Sequence, residues 1–308
     1  MHHQLAKSLA HIQERCAGIV AFDHAALTRL ISDLDRGARY PASTFALYYE
    51  LVPALLNGDE PAARALFDAL GCARPIQSPL RVLGLADPAL AAHRERYVRL
   101  MNSGQPCTLD FLPPTPQQAD AFAARFDEVR DLMARTVPDL LEEMRAMISE
   151  IILVTGSATD KMRFDGGSSY QLWGALFLNA EHHRSRVELV EVLAHESGHS
   201  VLFGLSTEEA PVLNADDERF PSPLRVERRP MDGVFHATYV SARMHWAMSR
   251  LIDSGQLSEE ETSLAMKARS EDRRNFEQGY ETVAAHARLT EVGRRALDAA
   301  LSYMRNAA

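Results

Sequence analysis

Lysine is nearly missing from this chain: of 33 basic residues only Lys7, Lys161 and Lys267 are lysines, and the rest are arginines. Cysteine is as scarce. Cys16, Cys72 and Cys107 are odd in number and far apart, which excludes a disulfide framework and any cysteine-based metal spacing. A reducing, cytoplasmic setting is the expectation. Positive charge is in deficit overall, 33 basic against 42 acidic residues, a formal net charge of -9. That leaves no basic face for a general nucleic-acid binder. No apolar run is long enough to span a bilayer. The opening Met1-His2-His3-Gln4-Leu5-Ala6-Lys7 is followed by polar residues and not by an apolar signal core. No fixed-period repeat is present. What remains is a 308-residue chain that is 46% hydrophobic, enough for one large or two modest cores.

Against that plain background one stretch stands out, His195-Glu196-Ser197-Gly198-His199. It lies in Glu188-Leu189-Val190-Glu191-Val192-Leu193-Ala194 and Ser200-Val201-Leu202-Phe203, which reads as a helix. Histidines four apart on a helix stand one turn apart on one face, so both imidazoles can point at one ion. Glu196 is turned about a hundred degrees away, within reach of a water or ligand held there. Gly198 costs a helix about 1 kcal/mol relative to alanine, and a glycine there admits close approach by a neighbour. The H-E-x-x-H pattern alone is weak; its helical, apolar context with a strand before it is the stronger signal.

Residues 1 to about 103 read as helical throughout, with stripes such as Leu27, Leu30, Ile31, Leu34 and Leu47, Leu51, Leu55, the latter in a segment that Pro53 should kink. A third stripe, Ala62, Leu66, Phe67, Leu70, should close at Gly71. Tyr48 and Tyr49 suit packing better than a pocket. Ser103-Gly104-Gln105-Pro106 and Leu112-Pro113-Pro114-Thr115-Pro116 bracket a loop, giving a helical region 1–112 and a domain 113–308. Thr115 reads as an N-cap for a helix to about Thr136, and a second helix should follow Pro138 to about Ser149.

Glu150-Ile151-Ile152-Leu153-Val154 predicts a strand, Asp165-Gly166-Gly167-Ser168 a turn, and residues 169–179 one or two strands. A strand just before such a helix can offer an edge to an extended peptide. A long irregular stretch with Pro211, Pro221, Pro223 and Pro230 follows Leu205. From Val234 a helix resumes. Ser258 and Glu261 form a capping box for another, and Ala296, Leu297, Ala300, Leu301 stripe the last. The fold class is thus mainly α with a small β-sheet (α+β): an H-E-x-x-H helix packed on a short antiparallel sheet, zincin-like at the site, behind an N-terminal helical region.

Two histidines are short of a catalytic centre, which needs three protein ligands with positions left open. The metallopeptidase pattern with a third histidine six residues on fails, because Leu202 and Leu205 hold those positions. Glu218, about twenty residues on, lies in a charged loop between prolines. His236 is the better candidate: it follows the Asp232-Gly233 turn and begins an apolar-periodic helix. Asp232 is the carboxylate alternative. His245 and His286 read as packing or surface residues, and His182-His183 as a loop pair.

These residues, with Ser222-Pro223-Leu224-Arg225 and Arg229-Pro230-Met231-Asp232-Gly233-Val234-Phe235-His236-Ala237, resemble the HExxH-type peptide β-hydroxylases over about residues 150 to 250. That family uses iron(II) and 2-oxoglutarate to modify ribosomally made peptides. The resemblance implies that His195, His199 and His236 are iron ligands, that a precursor peptide is the partner, and that Glu196 need not be a peptidase-style base. It implies a cationic clamp for the distal carboxylate of 2-oxoglutarate, for which arginine's fork is suited. Arg225, Arg229 and Arg243 are the candidates, Arg225 foremost. Two rival readings stand beside it. In one, the protein is a zinc metallopeptidase in which Glu196 deprotonates a zinc-bound water. In the other it is a non-catalytic peptide-binding protein. Zinc can occupy the same histidines in purified protein. The N-terminal helices can hold a leader segment or build a homodimer.

Overall fold

Helix starts are written into the sequence as short side-chain oxygens. Asp23 accepts from the Ala26 N–H and Asp59 from the Ala62 N–H. Ser185 with Glu188, and Ser258 with Glu261, form full capping boxes. Thr115 and Gln118 bond each other's termini in the same manner. In the computed structural model, which describes residues 1–103, 108–156 and 164–307, these caps, with Thr290 accepting from the Gly293 N–H, begin six of the eleven α-helices formed by the described residues. The chain is mainly helical with a small sheet, as its periodicity implied.

Contacts divide it into two units. One comprises Met1–Ala119 and Arg145–Ala180, the other Asp120–Met144 and Glu181–Ala308. The single boundary expected near residue 112 is therefore not the division the chain adopts. Gly104, Gln105, Pro106 and Cys107 of the expected boundary loop, and Ser157 and Lys161, lie outside the described residues. Cys16 and Cys72 are free thiols.

The first unit carries α1 (His2–Cys16), α2 (His24–Asp35), α3 (Ala42–Leu56), α4 (Glu60–Cys72) and α5 (Arg94–Met101). It also carries a four-stranded sheet of β1 (Arg81–Gly84), β2 (Glu150–Val154), β3 (Gly166–Ser168) and β4 (Ala175–Asn179) in the order β1-β2-β4-β3. Pro53 sits in the last turn of α3. Gly71 does not end α4. It lies inside the helix, where a Cβ would stand 3.0 Å from that of Ala26, so its role is the close approach of α2.

Four strand expectations need correction. The sheet is mixed rather than antiparallel: β1, β2 and β4 run parallel and only β3 is antiparallel. Strand β4, expected to present an edge, is interior between β2 and β3. That is why Ala175-Leu176-Phe177-Leu178-Asn179 is buried at every position, as parallel interior strands are. Gly166-Gly167-Ser168, read as a turn, is strand β3, and the supposedly all-helical first hundred residues contain β1.

At the head of β2 the buried Glu150 carboxylate accepts from the Tyr97 hydroxyl (2.8 Å) and pairs with Arg81 (2.7 Å). Burial, then the Glu150 charge, raises the Tyr97 hydroxyl far above its usual pKa and keeps it a donor. Tyr97→Phe leaves that carboxylate short of one bond. Chemical denaturation should show a loss of about 1–3 kcal/mol.

The second unit holds most of α6 (Pro116–Thr136) and α7 (Pro138–Met147), then α8 (Arg186–Leu205), α9 (Met231–Asp253), α10 (Glu259–His286) and α11 (Glu291–Asn306). The stretch read as irregular contains an antiparallel hairpin, β5 (Phe220–Ser222) and β6 (Arg225–Arg229). Leu202, Met231, Val234, Phe235, Val283 and Leu297 form the unit's buried core.

Candidate metal centre

Helix α8 is buried along most of its length from Val187 to Leu202, and its two histidines are partly exposed. Gly198, beside His199, decides what can meet them. A Cβ there would stand 3.0 Å from Val240 Cγ1 and 3.0 Å from Arg243 Cδ. The missing side chain lets α9 close on α8. One turn earlier on α9, the ring of His236 then stacks 5.2 Å from that of His199 at an interplanar angle of 20°. The Asp232-Gly233 pair is not a turn, as expected, but the first turn of α9.

The three imidazoles are adjacent. His195 Nε2 lies 3.2 Å from His199 Nε2, and His199 Nδ1 lies 2.9 Å from His236 Nδ1. The first spacing suits two ligands of one ion: metal–nitrogen bonds of about 2.0–2.1 Å at tetrahedral angles set ligand nitrogens ~3.3 Å apart. The second uses the other nitrogen of His199, so the rings form a row rather than a cup. Among the described residues, no group of three or more His, Cys, Asp or Glu side chains is arranged to hold a metal ion.

The donor chemistry nonetheless fits. Burial, then the charges of Arg225, His183 and His236, holds His195 down at about 4. His199 is lowered further by burial and by its two neighbours, and His236 is lowered by burial against the opposing pull of Asp232. Each shift is downward and so favours the neutral imidazole, which keeps a free lone pair, the form a metal needs.

Around the row stand the other expected residues. Glu196 is 4% exposed, and its Oε1 is 3.9 Å from His195 Nε2. Asp232, exposed on α9, has Oδ1 at 3.8 Å from His236 Nε2, close enough to steady the ring. Arg243 is committed elsewhere: its guanidinium pairs with Glu143 and lies 5.9 Å over the Trp246 ring. It thus serves α7–α9 packing, although its buried Nε keeps no hydrogen-bond partner. Arg229 differs. It is half-buried, makes no hydrogen bond or salt bridge among the described residues, and lies along Gly233 with Nε 3.5 Å from a Cβ built there. Burial, then Arg225, lowers its pKa. Arg225 is exposed on β6, yet its charge reaches His195.

The sequence reading missed three neighbours. Phe203, one turn beyond His199, stacks on His199 at 6.5 Å and tilts against His236 at 5.6 Å. Its i+4 spacing was the available signal. His183, in a left-handed backbone conformation at φ +53°, acts on His195 electrostatically. Glu143 had no sequence signal. His245 is a packing residue, buried with Nδ1 at 2.8 Å from the Tyr303 hydroxyl. Glu218 caps its own loop and pairs with Arg288 at 2.7 Å.

No protein family matches the chain, and no curated protein does.

Proposed function

We propose that this protein is an iron(II)- and 2-oxoglutarate-dependent oxygenase that hydroxylates the β-carbon of a side chain in a ribosomally made peptide. The observation that carries the reading is the row of three adjacent imidazoles, with Arg229, half-buried and without a hydrogen bond or salt bridge among the described residues, packed along the first turn of the helix that carries His236. His195, His199 and His236 would hold the ion. When bound, ferrous iron with 2-oxoglutarate supplies oxygen activation, chemistry the side chains themselves lack.

The chain's own groups do the rest. Arg229 would hold the distal carboxylate of 2-oxoglutarate, a role suited to a guanidinium partly withdrawn from water. Arg225 adds a second positive charge. Phe203 and Val240 keep water off the histidine row. Glu196, buried against His195, orients a water or a neighbouring donor. The work belongs in the cytoplasm, and no helix among the described residues is long and apolar enough to cross a membrane.

Arg229→Ala should raise the 2-oxoglutarate concentration for half-maximal turnover at least about tenfold and leave metal affinity intact. An unchanged requirement would move the clamp to Arg225.

One observation favours a second reading, zinc-dependent peptide hydrolysis: the Glu196 carboxylate lies close to His195, where a general base would act on a metal-bound water. Incubating the protein and a peptide with oxygen and 2-oxoglutarate separates the two. The oxygenase adds one oxygen to the peptide mass; the peptidase cleaves the peptide and loses activity in Glu196→Gln.

A further inference from the structure

Strand β6 is exposed along nearly its whole length. Arg225, Val226, Glu227 and Arg228 are all exposed, and Val226 is fully so at 100%. On one side β6 pairs with β5, which packs on α9 and α10; among the described residues no strand pairs on the other. In an antiparallel ladder alternate residues aim their N–H and C=O at the partner strand, and those between aim outward. Here the pairing is irregular, Phe220 with Arg229 and Ser222 with Arg225, and β6 also packs on α9; the exposed residues between, Val226 to Arg228, have no strand on their outer side among the described residues. Val226, fully exposed between Arg225 and Glu227, is the one uncharged side chain on this edge.

The charge on this hairpin runs against that of the chain. Residues 219–229 hold Arg219, Arg225, Arg228 and Arg229 against the single acid Glu227, whereas the whole chain carries -9. Arg228 donates to the Arg219 carbonyl at 2.7 and 3.1 Å, which anchors one cation without neutralising it. Each end of the strand has a link toward the histidine row, one electrostatic and one through α9. Arg225 acts on His195, and Arg229 lies along Gly233, three residues before His236.

We propose that β6 is the docking strand for an acidic segment of the peptide substrate, which adds to its open edge in extended form and so leads a neighbouring residue to the histidines. Backbone hydrogen bonds give the register, Val226 an apolar contact, and the arginines the preference for acidic side chains. The interior position of β4 removes that strand from this role. The inference rests on the peptide-modifying reading of the site, but its test does not.

Fluorescence anisotropy is measured on the full chain in EDTA, without metal or cosubstrate. The probes are a fluorescein-labelled ten-residue peptide of alternating Thr and Glu, its Thr-Lys counterpart, a Thr-Glu peptide with prolines at alternate threonines, and a single-stranded oligonucleotide. The Thr-Glu peptide should bind at least about tenfold more tightly than the other three, and binding should weaken with added salt. The surface double variant Arg225→Glu/Arg228→Glu and the edge variant Val226→Pro should each weaken it by about tenfold or more. The double variant carries the test if proline disturbs the hairpin. Equal affinity for the proline peptide would overturn strand addition, tighter binding of the oligonucleotide would overturn the peptide assignment, and full affinity in the double variant would overturn the location. Because no metal is present, these results stand even if the oxygenase reading fails.

Discussion

His199→Ala should lower the affinity of the chain for a divalent ion by at least about a hundredfold and abolish turnover. It is the middle member of the row, within 3.2 Å of His195 and 2.9 Å of His236. Removing it separates the two remaining rings as well as deleting a donor. Loss of a group that only supports a ligand costs about 10–100-fold, so loss of the central donor should cost at least the upper figure. Titration against a competing chelator measures this directly. A purely structural row predicts something else: metal affinity unchanged, and a stability loss of about 1–3 kcal/mol from two broken buried hydrogen bonds.

Asp272→Asn should make the protein more stable at pH 8, by on the order of 3 kcal/mol, with the gain disappearing near pH 4. Asp272 on α10 is 2% exposed, and its Oδ2 has no hydrogen-bond partner. Burial, then Glu191 and Glu271, raises its pKa from 3.8 to about 9. The folded protein therefore keeps a proton that the unfolded chain gives up above 3.8. Stability from this group is present below that pH and is lost as pH rises through about 9. Asparagine has the shape of the protonated acid and no proton to lose. His195 acts with the opposite sign: lowered in the folded protein, it withdraws stability as pH falls below 6.5 toward about 4. Denaturant unfolding at a series of pH values, parent against variant, isolates the Asp272 contribution. Parallel pH profiles would mean that the aspartate is already satisfied.

The parts that were legible in the sequence share a cause: each is local. The α8 pattern, the Ser258–Glu261 box, the β2 strand and the last helical stripe all depend on residues within a few positions of one another. His236 was singled out because it follows Asp232-Gly233 at the start of a periodic helix, and the structure places it in the sixth position of α9. The failures are equally physical. Arg81-Val82-Leu83-Gly84 has one β-branched residue and only Leu83 buried, so β1 has no alternating pattern to read. Gly166-Gly167-Ser168 has no apolar side chain at all, and its strand pairing is imposed by β4. The β5–β6 hairpin hides among prolines and arginines because its exposed face needs no hydrophobic pattern. The commitment of Arg243 to Glu143, 100 residues away, follows from the packing of α7 and α9, which no local spacing encodes. The ordering of the imidazoles as a row likewise depends on ring rotations that spacing does not determine.

The most direct measurement is anaerobic calorimetry of 2-oxoglutarate binding, with and without ferrous iron, in the parent chain and in His236→Ala. The account predicts one molecule bound per chain only when the metal is present, and none in the variant. Binding that ignores the metal, or persists in full without the His236 ring, would contradict it.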